Sequence, residues 1–188
     1  MLISLRTVVR ILASGTDNPT DEIPHPALRP HRRAARARPS GTAVGGDEDF
    51  DGWVAGRSAA ELTEPFPFVV GTDGVLRLTP RRSEHVACAG GDMVLSAGEI
   101  SFMREADRWT VSEVSNQSTG YCPDVTSWPA VAHALDDAEL GRPSGFTHAV
   151  VFRRCPDCQE HNIVREDDFV CVFCGSNLPE TWNADPAV

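Results

Sequence analysis

Lysine is absent from this sequence; all seventeen basic residues are arginine. With the Ala, Gly and Pro content, that composition points to a high-GC bacterial genome, a statement about origin and not about mechanism. Long apolar runs are absent too: none approaches the ~20 residues that a membrane-spanning helix requires. The opening "MLISLRTVVRILAS" has the outline of a signal peptide, yet Arg6 and Arg10 interrupt its apolar stretch and no clear small-residue cleavage site follows. No segment recurs at a fixed period, so nothing points to a repeat architecture. The expectation is a cytoplasmic chain without membrane contact. In that compartment thiols stay reduced, and clustered cysteines bind metal more often than they pair as disulfides.

Positive charge is also scarce. Seventeen basic residues face 27 acidic ones, for a formal net charge of −10. Residues 1–46 hold seven Arg against Asp17, Asp21 and Glu22, a net of +4, so the remainder carries −14. An acidic body of that size repels phosphate backbones. It argues against nucleic acid as the main partner and suits a basic protein instead.

A length of 188 residues fits one domain, or a small domain with an appended module, and a hydrophobic content of 41% is enough for a core. Residues 1–49 read as a disordered basic N-terminal arm. The stretch "NPTDEIPHPALRPHRRAARARPSGTAVGGDED" is rich in Pro, Gly and Arg and keeps no apolar period. Its "RPHRRAARAR" tract is either a solvated tail or a grip for something anionic; basic tracts alone are weak signals.

From Phe50 the texture changes. "ELTEPFPFVV" and "VLRLTP" flank Gly-Thr-Asp-Gly and predict a hairpin. "DMVLSAGEISFM" predicts a second hairpin turning at Ala97-Gly98, with Ile100 and Phe102 on one strand face. "DRWTVSEVS" adds a strand with Trp109 and Val111 on one side and Thr110 and Ser112 on the other. "TSWPAVAHALDDAELGRP" predicts a helix, with Thr126 or Ser127 as N-cap, Pro129 in the first turn and an apolar stripe of Trp128, Val131 and Leu135. Gly141 is placed to end it. "GFTHAVVFRR" then predicts a strand leading into the cysteines. The expected class is α+β: an antiparallel meander with one packed helix over 50–151, then a C-terminal zinc-ribbon hairpin over 152–183.

Four of the six cysteines lie in "RRCPDCQEHNIVREDDFVCVFCGSN", spaced Cys155-x2-Cys158-x12-Cys171-x2-Cys174. A C-x-x-C pair curls into a knuckle that aims both sulfurs at one point, and two knuckles supply four thiolates to a tetrahedral Zn2+. "HNIV" and "FVCVF", joined by "REDD", are expected to form the hairpin that brings the knuckles together. Gly175 suits the positive φ that a knuckle needs. Iron at the same four thiolates fits the spacing equally well, while a redox C-x-x-C usually occurs singly at a helix start. Four cysteines fill a tetrahedron and leave no position for water, so the metal reads as structural. His161 reads as an exposed loop residue outside the metal shell.

The second informative stretch is "EVSNQSTGYCPD". Asn116, Ser118, Tyr121 and Cys122 crowd a loop before the helix, where functional groups are often found. His85 and Glu99 from neighbouring segments are candidate partners for Ser118 or Cys122, and Cys122 near a helix start is expected to have a lowered pKa. The competing reading is structural: Asn, Ser, Thr and Gly are what a turn needs, and Cys is often buried as a small hydrophobe. Cys88, three residues beyond His85, leaves a disulfide with Cys122 or a second metal site as remoter readings.

Across residues 80–183, "AGEISF", "VSNQSTGYCPDVTSWPAVAHAL", "GFTHAVVFRRCPDC" and "FVCVFCGSNLPETWN" carry a resemblance. The chain resembles a family of uncharacterised bacterial proteins ending in a four-cysteine ribbon, which implies a shared fold and zinc site and no particular reaction. Asn116, Ser118, Tyr121 and Pro123, with the earlier Gly98-Glu99-Ile100, are also similar to an Asn-x-Ser-Gly-His-Tyr-x-Pro pattern in domains of bacterial toxin and conflict systems. Thr119-Gly120 replaces the Gly-His pair, which removes the proton-transferring residue. The leading expectation is therefore a binding or adaptor protein rather than an enzyme. A hydrolase or transferase using the 116–122 loop is the alternative, and a nucleic-acid-binding ribbon comes third. Oligomeric state is not encoded in any of these features.

Overall fold

"PFPFVV" is apolar at every position, which suits a strand covered on both faces. It forms β2 (Phe66–Gly71): Phe66, Phe68 and Val70 enter one core cluster and Val69 the other. The structure is a computed structural model that describes residues 27–30 and 38–184. After β2 the chain turns through Gly74, at φ 78°, into β3 (Leu76–Leu78), the predicted hairpin. β4 (Val94–Glu105) and β5 (Arg108–Val114) form another. With β1 (Thr42–Val44) on the outer side of β3, the order is β1-β3-β2-β4-β5, antiparallel throughout. The α+β class and antiparallel meander sheet are as the sequence predicts.

Ala97-Gly98 is not a turn. β4 runs unbroken through it. The glycine serves a close approach instead: a Cβ on Gly98 would lie 1.8 Å from the carbonyl oxygen of Ser115. The second hairpin turns at Ala106, which adopts φ 52°.

Two helices cover one face. α3 (Trp128–Asp137) buries Val131 and Leu135, with Trp128 packed alongside, as its stripe predicts. Ser127 holds its N-cap position, as expected, but makes no capping bond through its side chain; Asp124 accepts from the Thr126 N–H at the start of a preceding turn of 3-10 helix, Val125–Ser127. Ser127 Oγ instead sits 2.9 Å from Ser96 Oγ on β4, pinning the helix to the sheet. Gly141 does not end the helix either. Glu139 takes the left-handed position at φ 56°, and Gly141 pairs with Thr110 on the edge of β5. α1 (Asp47–Ala55), an additional helix, places Asp47, Glu48 and Asp49 in its first turn, where the helix dipole favours them. Phe50 and Trp53 pack against Phe66 and Phe102.

The opposite face carries α2 (His85–Cys88), Tyr121 and Leu28, which exchanges backbone hydrogen bonds with Val94. Leu28, β1 and the start of α1 thus build part of the segment expected as an arm into the sheet; residues 1–26 and 31–37 of that expectation lie outside the described residues. The strand expected over "GFTHAVVFRR" is shorter, β6 (Val151–Arg154). Before it, Thr147 bonds both backbone groups of Val114 through its hydroxyl. Among the described residues no helix is long and apolar enough to cross a membrane.

Gly98→Ala is expected to cost about 3 kcal/mol or more by overpacking a site bounded by backbone. Gly52→Ala, at an open position inside α1, is expected to gain up to about 1 kcal/mol. Urea unfolding of both variants checks the contrast; a tolerated alanine at 98 would mean the strands do not approach this closely.

Candidate metal centre

The cysteines sit on two similar turns. β6 pairs with β7 (His161–Val164), from Val151 opposite Val164 to Arg154 opposite His161, and the turn between them holds Cys155 and Cys158. Val170 bridges Asn177 around Cys171 and Cys174. The expected pairing of "HNIV" with "FVCVF" does not occur: each knuckle lies at the tip of its own hairpin. "REDD" is a tight turn as expected, closed by an Arg165–Asp168 bridge and no longer ladder.

The knuckles share one hydrogen-bond scheme. Cys155 N–H donates to Glu160 and Gln159 N–H to Cys155; Cys171 N–H donates to Ser176 and Gly175 N–H to Cys171. That scheme needs a left-handed residue in each, supplied by Gly175 at φ 79° as predicted and by Gln159 at φ 65°.

The four Sγ atoms all lie within 4.8 Å of one another. Cys155–Cys174 and Cys158–Cys171 are each 3.6 Å apart. Thiolates at ~2.3 Å from a tetrahedral zinc stand about 3.8 Å apart, whereas a disulfide requires about 2 Å. The four cysteines are therefore placed so that they could hold a metal ion, and the donor set fits a closed four-thiolate site.

The surroundings favour anionic sulfur at the second knuckle, whereas at Cys158 the backbone N–H of Glu160 is outweighed by burial and the neighbouring thiols, which push that thiol up to about 12. Burial works to raise the Cys171 thiol, but the backbone N–H groups of Cys174 and Phe173 and the Asn162 amide outweigh it and bring it to about 6. Ser176 lowers Cys174 across a 3.4 Å contact. Asn162, a residue the spacing rule overlooks, holds both knuckles: its Nδ2 donates to the Glu160 carbonyl at the first and lies 3.5 Å from Cys171 Sγ at the second, where its Oδ1 accepts from Val172 N–H. Its inward place in the alternation of "HNIV" was the available signal. His161 stands outside the thiol cluster; it is half-buried rather than exposed, with Nε2 3.2 Å from the Ala184 carbonyl.

The polar loop is where the ribbon joins the sheet. Asn116 is fully buried; its Nδ2 donates to the carbonyls of Pro123 and Val150, and its Oδ1 accepts from Val150 N–H. Cys122 packs with Phe152 and Ala184, and Trp182 Nε1 donates to the Cys122 carbonyl. Burial pushes the Cys122 thiol up to about 12, the reverse of the expected lowering. Tyr121 is buried with its hydroxyl on the Asp92 carbonyl. Ser118 Oγ is buried without a hydrogen-bond partner. Cys88 belongs to a different cluster from Cys122, its thiol pushed up to about 11 by burial, and both are free.

One pair of candidates does meet. His85 Nε2 lies 2.9 Å from the Gly98 carbonyl and 3.5 Å from Glu99 Oε1. Burial lowers the His85 pKa and raises that of Glu99. Neither of the two surface hollows near Arg77 and near Trp109 is lined by His85, Glu99, Ser118 or Cys122.

Two outcomes follow from this geometry. Gln159→Gly should stabilise the first knuckle, and Gly175→Ala should cost the second about 1–2 kcal/mol, both read by thermal unfolding of metal-loaded protein. Because the folded chain holds His85 below its ordinary 6.5, the unfolded chain takes up that proton first on acidification. Stability should fall as pH drops below 6.5, and His85→Gln should flatten that slope in urea titrations. An unchanged slope would show that other groups set it.

No protein family, curated protein or solved structure matches this chain. The kinship expected from residues 80–183 rests on the sequence stretches that suggested it.

Proposed function

We propose that this chain is a zinc-binding adaptor: Cys155, Cys158, Cys171 and Cys174 hold one structural Zn2+, and the acidic body engages a basic protein partner in the cytoplasm. The observation that carries the reading is the convergence of four thiols, two of them buried, in a ribbon with few other core residues. A four-thiolate shell leaves zinc no open position, so its contribution is folding energy rather than catalysis. Iron would fit the same sulfurs and is separated by elemental analysis.

The enzymatic alternative has one specific support, the His85–Glu99 contact. Against it stands the use of Asn116, Tyr121 and the Cys122 carbonyl in holding loop, sheet and ribbon together. The nucleic-acid reading is weakened at Arg153, which is buried and donates to the carbonyls of Phe152, Pro179 and Glu180.

Purified protein should contain one zinc per chain. Cys155→Ser or Cys171→Ser should lose it and unfold residues 151–184, read by NMR. Removal by chelator should cost the ribbon on the order of 10 kcal/mol of apparent binding energy. Cys122→Ser and Ser118→Ala should retain zinc and partner capture. Protein lacking both zinc and iron would overturn the proposal, and loss of the cellular role in a folded Ser118→Ala variant would favour the enzyme.

A further inference from the structure

The ribbon turns apolar side chains outward. Of the seven large hydrophobics exposed among the described residues, four lie on it: Ile163, Val170, Val172 and Phe173. Val172 and Phe173 are the extremes, at 78% and 63%. They occupy the two positions between Cys171 and Cys174, so they form the tip of the second knuckle. The backbone there is held by the Val172 N–H bond to Asn162 and by the Cys171–Ser176 and Gly175–Cys171 bonds. Two bulky side chains on a fixed turn lose little backbone freedom when a partner covers them, which is what a preorganised anchor requires. The knuckle's bonds are made by backbone and by Asn162, so neither side chain is needed to close it.

The charge around this tip is unneutralised. On the sheet domain, some carboxylates are paired with arginines: Asp73 with Arg77, Glu64 with Arg81, Asp136 with Arg142. On the ribbon, Asp157, Glu160, Glu166, Asp167, Asp168 and Glu180 are exposed, and none forms an ion pair among the described residues. Asp157 lies between Cys155 and Cys158 on the first knuckle, whose sulfurs converge with those of the second. Three arginines, Arg153, Arg154 and Arg165, stand against these six carboxylates and leave the ribbon net acidic; Arg153 is turned inward to buried carbonyls, and Arg154 Nε donates to the Gln159 carbonyl. A phosphate backbone would meet repulsion here, and so would a second copy of a chain whose net charge is −10.

We propose that the tip of the second knuckle, Val172 and Phe173, is a docking surface for a basic segment of another protein, with apolar side chains covering the tip and Arg or Lys facing Asp157 and Glu160. The inference rests on the adaptor reading and supplies the chemistry of its partner. Apolar contact at the tip provides affinity; the flanking carboxylates select sign and speed encounter.

The test uses full-length zinc-loaded protein and a short synthetic peptide of Arg, Leu and Ser, followed by fluorescence anisotropy. Two control peptides replace Arg by Glu or Leu by Ser. The Arg–Leu peptide should bind and both controls should not. Phe173→Ser with Val172→Ser should weaken binding by about tenfold or more at unchanged zinc content. Asp157→Asn with Glu160→Gln should weaken it by about threefold and reduce its salt dependence. In wild-type protein, amide shifts on peptide addition should centre on residues 171–175. The proposal is overturned if the double serine variant binds the peptide undiminished, if the Glu peptide binds equally, if the shifts centre elsewhere, or if a DNA duplex competes at the tip. It is also overturned if sedimentation shows wild type to be a dimer that the double serine variant dissolves. Zinc content is measured separately: zinc-replete protein that ignores the peptide fails the docking proposal alone, and metal-free protein fails the zinc reading.

Discussion

Four sulfurs confined within 4.8 Å of one another are the constraint on which the C-terminal part of this molecule depends. Thiolates at that separation would repel one another, and a cation held between them would offset that repulsion. The ribbon has little else to hold it: its buried cluster is Cys155, Val164, Cys171 and Leu178, so half of it is cysteine. Apolar burial on that scale cannot offset the entropy of ordering some thirty residues at roughly 1–2 kcal/mol each. A metal held there would contribute on the order of 10 kcal/mol and, with the β6–β7 ladder and the contacts to the sheet, would change that balance. The knuckles in turn set the register of β6, which aims Phe152 at Cys122 and Arg153 at the carbonyls of Pro179 and Glu180.

The junction between ribbon and sheet shows why polar loops are ambiguous in sequence. Asn116, Ser118 and Cys122 have the residue types of an active site and equally those of a structural joint. Partners decide between these readings, and the partners are Val150 and Trp182, thirty-four and sixty residues away. A buried amide satisfied by three backbone groups costs little and orients both segments; one left unsatisfied would cost about 1–3 kcal/mol. Asn116 is of the first kind. Among the described residues, Ser118 is the one left with a buried hydroxyl unpartnered.

What the sequence made legible was local. The Gly-Thr-Asp-Gly turn between two β-prone runs identified β2 and β3, alternation identified β5, the i, i+3, i+7 stripe identified α3, and C-x-x-C spacing identified the four thiols, because each depends on residues a few positions apart. What it hid was long-range. Gly98 has the look of a turn, and only the approach of Ser115 explains it as a packing glycine inside β4. α1 hides in an acidic, glycine-containing stretch whose clue, Phe50 and Trp53 at i, i+3, gains meaning only against Phe66 and Phe102. The pairing of β7 with β6 rather than with "FVCVF" reflects two complete knuckle turns, each closing its own hairpin.

Burial is divided unevenly between the two parts of the chain. The sheet is covered on both faces, by α1 and α3 on one side and by α2, Leu28 and Tyr121 on the other, and its strands spend nearly all their apolar side chains inward. The ribbon has only one inner side, and sulfur fills half of it. A second apolar layer cannot be buried where no second layer exists, so residues between the cysteines are free of packing demands. Polar residues would serve the fold there equally well, since a side chain exposed in both the folded and the unfolded chain gains nothing from burial. Val and Phe at the two most exposed of these positions add little to the fold itself, and contact with a partner is what would bury them.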